Sequence, residues 1–215
     1  MLKIALLRNI MKYIQLKESL KDFTVFSLTD IRKIESNFHR RRLNEWQEKK
    51  FIRKVIKGYY IFSDLKLTEN ILFEIANKIY SPSYISFEMA LSYYSLIPES
   101  VYGVISAATR RTYRFKTSIA EFTYRTIKPR LFFGYNLVKY DNKYFKIASI
   151  EKAVLDYFYI NPHIKNKHDF VNLRINKDVF FEQINMEKLH TFTQKFGQRT
   201  LTKRINLFLE FIKNA

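Results

Sequence analysis

Residues 36–62 constrain the fold more than any other part of the chain, because the pattern of a short basic helix runs directly into the pattern of a hairpin. Leu43 and Trp46 are three positions apart, as the inward face of a helix requires. The runs 51–56 and 59–62 are rich in β-branched and aromatic residues, and between them Gly58 tolerates the positive φ of a tight turn. The sequence therefore predicts a helix followed at once by two antiparallel strands.

Two further helices are predicted before this stretch. Apolar residues recur at three and four positions through about residue 20, and this first helix is carried by Ile4, Leu7, Met11 and Ile14. A second helix is capped by Ser27 or Thr29, with Asp30 near its positive end. Three helices and a hairpin in this order are typical of a winged helix-turn-helix, in which one helix enters the DNA major groove and the hairpin touches the flanking backbone.

The candidate DNA contacts lie on and beside the third helix and near the tip of the hairpin. Arg and Asn side chains match the edges of guanine and adenine, and Lys and Arg neutralise phosphates. Glu45 and Glu48 share the outer face of the helix with the cations, so an ordinary solvated helix face is the competing interpretation. The predicted DNA-binding residues are Asn37, His39, Arg40, Arg41, Arg42, Asn44, Gln47, Lys54 and Lys57.

The distribution of charge also favours a polyanionic partner. The 215-residue chain has 38 Lys and Arg against 20 Asp and Glu, a formal net charge of +18. The net charge is +9 over residues 1–62, −3 over 63–100, +8 over 101–147 and +4 over 148–215. Two basic blocks flank an acidic one, and nucleic acid is an economical partner for both. A compositional bias toward Lys, Ile, Phe and Tyr would not explain this clustering.

The composition shifts at residues 63–68, where we expect a domain boundary. We predict an α+β protein, with a winged helix-turn-helix at 1–64 followed by a mixed α/β domain at 65–215. The second domain is expected to contain an antiparallel sheet and C-terminal helices. Its elements are predicted as helices within 69–94, strands within 101–147 and helices within 149–213. The strands are expected at 112–115, 122–127, 131–135 and 144–147, with a turn at Asp141-Asn142.

A second basic surface is possible in the predicted sheet. Basic residues alternate there with Tyr113, Phe115, Phe122 and Tyr124, which is typical of a nucleic-acid surface that stacks bases on aromatic rings. The same pattern fits the solvated face of an antiparallel sheet whose aromatic residues form the core, and both interpretations stay open. The basic residues of this possible surface are Arg110, Arg111, Arg114, Arg125, Lys128 and Arg130.

The sequence offers little for catalysis. It has no Cys, its four Gly are scattered, and no phosphate-binding glycine loop or metal-ligand spacing is found. Asp141 and Lys143 with Glu151 and Lys152 resemble the acid and lysine set of a nuclease, although a turn aspartate and a first-turn glutamate explain both acids. We therefore predict that the chain is not an enzyme and needs no cofactor.

A cytoplasmic location is expected by default. The first eight residues are interrupted by charge too early for a signal peptide, and no apolar run reaches the ~18 residues of a membrane span. We expect no membrane partner.

The middle of the chain contains a specific combination of short runs: 79–86 (IYSPSYIS), 90–99 (ALSYYSLIPE), 132–135 (FFGY), and Ala148, Glu151, Lys152, Ala153, Leu155 and Asp156. This combination resembles the AbiEi family, the antitoxins of abortive-infection toxin-antitoxin systems, and the similarity runs from the predicted winged helix through the C-terminal helices. Ser95 departs from the family pattern, since a Gly is expected after the Tyr pair.

The resemblance implies a phage-defence antitoxin that binds inverted repeats in its own promoter through the winged helix and represses transcription, with two copies possible on the DNA. It also implies a C-terminal domain that counteracts a nucleotidyltransferase-like toxin, with or without direct contact. Two alternatives stay open beside it. One is a winged-helix-targeted nuclease or other nucleic-acid-processing enzyme that uses the second domain, and the other is a transcription factor with a ligand-sensing second domain.

Overall fold

A computed structural model describes residues 13–98 and 102–214 of the chain. Both helices and sheets are present, which confirms the α+β class. Residues 13–19 are helical and form α1, with Leu16 buried on its inner side. Most of the pattern that predicted the first helix, including Ile4, Leu7 and Met11, lies outside the described residues.

The N-terminal part continues with two helices and a small sheet. Of the two predicted caps, Ser27 is the one that begins α2, through a capping box with Asp30. The strands form an antiparallel sheet in the order β1-β3-β2. The short first strand was not predicted, because two residues are too few to show a period. The elements are β1 (Phe26–Ser27), α2 (Leu28–Ile34), α3 (Arg41–Glu48), β2 (Ile52–Ile56) and β3 (Tyr59–Phe62).

A small aromatic core holds these elements together. Leu43 and Trp46 are each only 1% exposed, which confirms the predicted inward face of α3. Phe38 lies in the loop before α3 and packs against Trp46, with ring centroids 5.3 Å apart. From α1, the ring of Tyr13 meets Trp46 edge-on at 5.4 Å. The position of α3 is thus fixed from both sides by ring contacts.

The rest of the chain builds a larger α/β unit. Thr68 caps its first helix by accepting a hydrogen bond from the Ile71 amide, as predicted. A 3-10 turn, Pro129–Leu131, separates the middle strands. The elements are α4 (Glu69–Ile79), β4 (Ser83–Ile85), α5 (Phe87–Tyr93), β5 (Val104–Ala108), β6 (Tyr113–Lys116), β7 (Glu121–Thr126), β8 (Tyr135–Tyr140), β9 (Lys143–Ala148), α6 (Ile150–Ile160), α7 (Lys167–Asn172), α8 (Lys177–Gln183), α9 (Met186–Phe196) and α10 (Arg199–Asn214).

The large sheet differs from the expected antiparallel one. Its order is β6-β7-β5-β4-β9-β8, and both the β4–β9 and the β5–β7 pairs are parallel. The strand predicted at 131–135 is wrong: the chain turns through the 3-10 segment, and Gly134 has φ +72° before β8 begins. The turn at Asp141-Asn142 is confirmed between β8 and β9.

Helices cover both faces of this sheet. On one face lies α4, where the Tyr124 hydroxyl donates a hydrogen bond of 2.7 Å to the Ala76 carbonyl. On the other face lies α5, where Glu88 pairs with Arg125 of β7 at 3.0 Å. The C-terminal helices extend the core beyond α6, and Phe158 packs on Phe208 with ring centroids 5.1 Å apart.

The two parts of the molecule meet through apolar and polar contacts. Val25, Val55 and Ile61 precede the predicted boundary at residue 64, yet they belong to the larger core. Beside them, the Thr24 hydroxyl donates to the buried carboxylate of Glu74 on α4. None of the described helices is long and apolar enough to cross a membrane.

Candidate functional site

The N-terminal end of α3 exposes most of the residues predicted to contact DNA. Arg40 occupies the N-cap position without a side-chain cap bond, so its guanidinium is not used to close the helix. The helix begins later than expected, and Asn37 and His39 therefore lie in the loop that leads into it. The exposed residues of this region are Asn37, His39, Arg40, Arg41 and Asn44, which we call the α3 surface.

Arg42 has an internal role that the sequence did not suggest. Its Nη1 lies 2.8 Å from the Glu35 carboxylate, and its side chain is 15% exposed. The guanidinium carbon lies 4.5 Å from the ring centre of Phe38 and 5.2 Å from that of Trp46. Arg42 thus joins the loop before α3 to the aromatic core, and its cation is not displayed with the α3 surface.

Gln47 also differs from its predicted place beside the groove. Its Nε2 donates a hydrogen bond of 3.0 Å to the Leu43 carbonyl, one turn earlier in the same helix. Acidic residues Glu45 and Glu48 lie on the same C-terminal half of α3. An anionic partner would therefore favour the cationic N-terminal end of α3, because exposed Lys49 and Lys50 only balance the two glutamates at the C-terminal end.

The hairpin presents two of the predicted cations. Gly58 has φ +91°, and a Cβ added there would meet nothing within 4 Å. Glycine is therefore needed at this position for its backbone conformation and not for lack of space. Lys54 and Lys57 are exposed, whereas Tyr60 and Phe62 are buried against the small core. The register shifts between Lys54 and Ile56, which marks an irregularity in β2. The hairpin is thus anchored by its aromatic residues and offers lysines to solvent.

The six residues of the possible second basic surface do not form one surface. Two of them are neutralised: Arg114 makes two hydrogen bonds to the Glu121 carboxylate, at 2.5 and 2.7 Å, and Arg125 pairs with Glu88. Arg130 is exposed and donates to the Lys195 carbonyl at 3.4 Å. Arg110, Arg111 and Lys128 are exposed beyond the ends of β5 and β7. The paired and unpaired cations therefore have different roles.

A buried polar cluster lies at the centre of the residues that resemble the AbiEi family. Lys152 and Asp156 are both 0% exposed and form an ion pair one helical turn apart on α6. The hydroxyls of Tyr84 and Ser86 each donate to Asp156 at 2.8 Å. Lys152 also donates to the Tyr84 oxygen at 2.8 Å. The cluster joins β4 to α6 across the interior.

Burial dominates the electrostatics of this cluster. Loss of solvent lowers the pKa of Lys152 and raises that of Asp156, although the attraction between the two charges opposes both shifts. Burial and the neighbouring Asp156 charge raise the pKa of Tyr84 well above its ordinary value. The Tyr84 hydroxyl therefore stays protonated and acts as a donor.

The nuclease-like set is not brought together around a common point. Asp141 is exposed in the turn between β8 and β9. Glu151 is 2% exposed in the first turn of α6, where it pairs with Lys188 at 2.8 Å and accepts from Ser149 at 2.7 Å. Burial alone would raise the Glu151 pKa, but the bonds from Lys188 and Ser149, together with those from the backbone amides of Glu151 and Asn185, outweigh it and hold the pKa below its ordinary value. Across residues 13–98 and 102–214, no three His, Asp or Glu residues are grouped as metal ligands would be.

No family model matches the chain, and no curated protein matches its sequence. The similarity to the AbiEi family therefore stays a prediction that depends on the residues quoted above.

Proposed function

We propose that the protein is a DNA-binding antitoxin that represses its own operon and counteracts a nucleotidyltransferase-like toxin. The observation that carries the DNA-binding half is the combination of α3 with the adjacent hairpin. The small core fixes α3, its N-terminal end exposes cations and amide side chains, and Lys54 and Lys57 stand on the neighbouring hairpin. The element order, with β1 pairing to the hairpin, supports a winged helix-turn-helix.

Duplex DNA fits this surface by charge and by chemistry. Arg41 and Asn44 are three positions apart on α3 and both are exposed, so they lie on neighbouring positions of one helix side. Arg reads guanine and Asn reads adenine through paired hydrogen bonds. Lys54 and Lys57 reach phosphates of the flanking backbone in this arrangement. The cations at the N-terminal end of α3 and the positive end of the helix dipole both favour an orientation with this end toward the DNA.

The test is a titration of the purified chain with labelled duplex from upstream of its own reading frame, at several salt concentrations. We expect Arg41→Ala to weaken binding and to reduce the log-log salt slope by about 0.9 for each phosphate that is no longer neutralised. Lys139→Ala is the matched control, because Lys139 is an exposed cation on β8, at the far edge of the large sheet. An Arg41→Ala variant with parental affinity and slope would contradict the proposed interface.

The antitoxin part of the proposal depends on the resemblance to the AbiEi family and on where the structure puts the residues that carry this resemblance. Lys152, Asp156 and Tyr84 form an interior cluster, and Gly134 lies where a Cβ would come within 2.8 Å of the Phe192 ring. These residues build the core of the larger unit. They therefore support a fold shared with the AbiEi family more directly than a functional site shared with it. The functional surface of this unit is expected among exposed residues.

Growth rescue tests the antitoxin half separately. If a nucleotidyltransferase-like reading frame adjoins the gene, its expression alone should arrest growth, and expression of this chain should restore it. The Arg41→Ala variant should still rescue growth when both genes are driven from unrelated promoters. Failure of the parental chain to rescue would contradict the antitoxin proposal. Magnesium-dependent cleavage of plasmid that is lost in Asp141→Ala would favour the nuclease alternative instead.

A further inference from the structure

One edge of the large sheet carries aromatic rings and unpaired arginines together. Tyr80 and Tyr113 stack with ring centroids 6.3 Å apart and planes 19° apart. The Arg110 guanidinium lies 4.4 Å from the Tyr80 ring centre, and the Arg111 guanidinium lies 5.6 Å from that of Tyr113. We call these four residues the β6 edge surface. The exposed Tyr113 ring thus packs beside the buried Tyr80 ring, and one guanidinium group lies against each ring.

The loop that carries the two arginines is held in place. The Tyr80 hydroxyl donates a hydrogen bond of 2.8 Å to the Arg111 carbonyl, and the Thr126 hydroxyl donates at 2.8 Å to the Arg110 carbonyl. Both donors come from outside the loop, one from the end of α4 and the other from β7. The arginine planes are therefore presented by an ordered loop, which reduces the entropy lost when a ligand binds.

The charges of this surface are free to meet an external anion. Among the residues that the structure describes, no carboxylate is paired with Arg110 or Arg111, and both are exposed. Arg114 and Arg125, by contrast, are paired with Glu121 and Glu88. Of the four arginines in residues 110–125, only Arg110 and Arg111, which lie against the rings of Tyr80 and Tyr113, lack an acidic partner.

The strand register puts the neutralised arginines on the opposite face. Tyr113 lies across from Tyr124, and Arg114 lies across from Thr123. Directly opposed residues share a face, and successive residues alternate between faces. The Tyr113 side faces α4, whereas Arg114 and Arg125 lie on the side of α5. The aromatic and unpaired cationic residues are therefore collected on one side of an edge strand.

This chemistry fits single-stranded nucleic acid better than duplex. Unstacked bases lay their planes on aromatic rings and on arginine guanidinium groups, while the arginines neutralise neighbouring phosphates. In a duplex the base planes are covered by their neighbours, so a ring such as Tyr113, 41% exposed, would have no base plane to meet. An acidic peptide would use the two charges but not the rings.

We propose that the β6 edge surface binds single-stranded nucleic acid, with the exposed Tyr113 ring as the stacking platform, the buried Tyr80 ring supporting it, and Arg110 and Arg111 as phosphate contacts. This site is separate from the α3 surface, because it lies on the large sheet and uses a different form of nucleic acid. It does not depend on the proposed promoter binding.

The test measures fluorescence anisotropy of labelled oligo-U RNA and oligo-dT of about 12 nucleotides, within the site sizes of stacking proteins. We expect Tyr113→Leu to weaken binding about tenfold, the effect of removing one base stack. Arg110→Gln with Arg111→Gln should lower the salt slope by about 0.7 for each phosphate that is no longer neutralised. Tighter binding of oligo-U would identify RNA as the ligand, and equal binding would show that the sugar is not read.

Two controls come from the opposite edge of the same sheet. Tyr144 is 52% exposed on β9, and Lys139 is exposed across from it on β8. Tyr144→Leu and Lys139→Ala should leave the affinity for both oligonucleotides at the parental value. Thermal unfolding of each variant checks that Tyr113→Leu keeps the fold.

The proposal would be overturned by no binding of either oligonucleotide by the parental chain, by an unchanged affinity in a folded Tyr113→Leu variant, or by an equal loss in Tyr144→Leu. Arg41→Ala separates the two sites, since it should weaken promoter duplex binding and leave oligonucleotide binding unchanged. If Arg41→Ala removes oligonucleotide binding instead, the α3 surface is the only nucleic-acid site and the β6 edge surface is not one.

Discussion

Lys152 and Asp156 carry opposite charges inside the larger core, and neither side chain reaches solvent. Burying two charges costs several kcal/mol for each ion, and the attraction between them offsets this cost only when hydrogen bonds satisfy the remaining atoms. Tyr84 and Ser86 supply two such bonds to Asp156. The buried pair is therefore tolerated because the side chains of Tyr84, Ser86, Lys152 and Asp156 satisfy one another's hydrogen-bonding groups.

Removing one partner should be more damaging than removing both charges. Lys152→Met is expected to lower the free energy of unfolding by about 3–5 kcal/mol, because Asp156 loses its cation and must either stay charged in the interior or take up a proton on folding. Lys152→Met with Asp156→Asn should be more stable than Lys152→Met alone by about 1–3 kcal/mol, since the Asn oxygen still accepts from both hydroxyls. Urea denaturation at neutral pH measures both variants. A double variant no more stable than Lys152→Met would show that the pair's charge is not the cause.

The sign of the pH effect gives a second readout for Lys152→Met. Burial holds the pKa of Asp156 above its ordinary value in the folded chain. Without Lys152 the attraction that favours the charged form is lost, so the folded protein should prefer Asp156 protonated. The stability contributed by that proton is present at low pH and is lost as the pH rises through the folded pKa. The deficit of Lys152→Met relative to the double variant should therefore grow with pH.

The burial of single residues was predictable from the sequence where the residues lie on one face of an amphipathic helix. Leu43 and Trp46 were expected inside from their spacing, and both are buried. Glu151 and Lys152 could not be placed in the same way, because their helix is apolar on several sides and is enclosed by the sheet and by α9. The spacing of one helical turn between Lys152 and Asp156 can be read from the sequence. Their partners Tyr84 and Ser86 cannot, because they lie in and just after β4, about 70 residues earlier.

Among the elements, α3 depends on an arginine that looked like a DNA contact. Arg42 stacks on Phe38 and Trp46 and pairs with Glu35. The Glu35 side chain is 39% exposed, so the ion pair itself contributes little and the packing of the guanidinium matters more. Arg42 is therefore expected to fix the angle at which α3 leaves its loop.

Arg42→Ala should lower the free energy of unfolding by about 1–2 kcal/mol, because it removes two cation-π contacts and the packing of a nearly buried side chain. Arg41→Ala is the neighbouring control and should stay within about 0.5 kcal/mol of the parent, as exposed substitutions do. Urea denaturation of both variants measures this difference in the free energy of unfolding. Equal stabilities would mean that the contacts of Arg42 do not hold α3.

The hairpin and most helices were predictable as elements, whereas the sheet was not. The strands at 52–56 and 59–62 show β-rich runs around a glycine turn, so local pattern decided them. Val104–Ala108 was missed because it ends in small residues and is covered by α4 and α5, which removes the alternation that marks an exposed strand. Its parallel partner β7 cannot be inferred from local sequence, since the pairing joins segments separated by β6.

On the scale of the whole molecule, one buried carboxylate joins the two parts. Glu74 on α4 accepts hydrogen bonds from Thr24, which belongs to the N-terminal part, and from Tyr140 on β8. Lys143 donates to the Thr24 oxygen at 2.9 Å. Burial alone would raise the Glu74 pKa, but the bonds from Lys78, Thr24 and Tyr140, with the charge of Lys78, outweigh it and hold the pKa below its ordinary value.

This network should make the junction sensitive to acid. A carboxylate whose folded pKa is lowered contributes stability above its unfolded pKa, and that stability is lost as the pH falls through the folded value. We expect the parental chain to lose stability as the pH falls below about 4.5, the ordinary Glu value. Glu74→Gln should lose less stability over the same range, although it starts lower at pH 7.

Urea denaturation at a series of pH values measures this difference. Glu69→Gln provides the control, because Glu69 lies in the first turn of the same helix and is exposed. Its pH profile should follow that of the parent. If Glu74→Gln and the parent lose stability in parallel below pH 4.5, the carboxylate at the junction does not carry the acid response.

The contribution of Val25, Val55 and Ile61 to the larger core limits how this chain can be recombined. A fragment ending near residue 64 would expose these three side chains to water, and a foreign N-terminal unit grafted onto the remainder would need matching shapes at the same positions. New recognition properties are therefore acquired more readily by point substitution on the exposed side of α3 than by exchange of the whole unit.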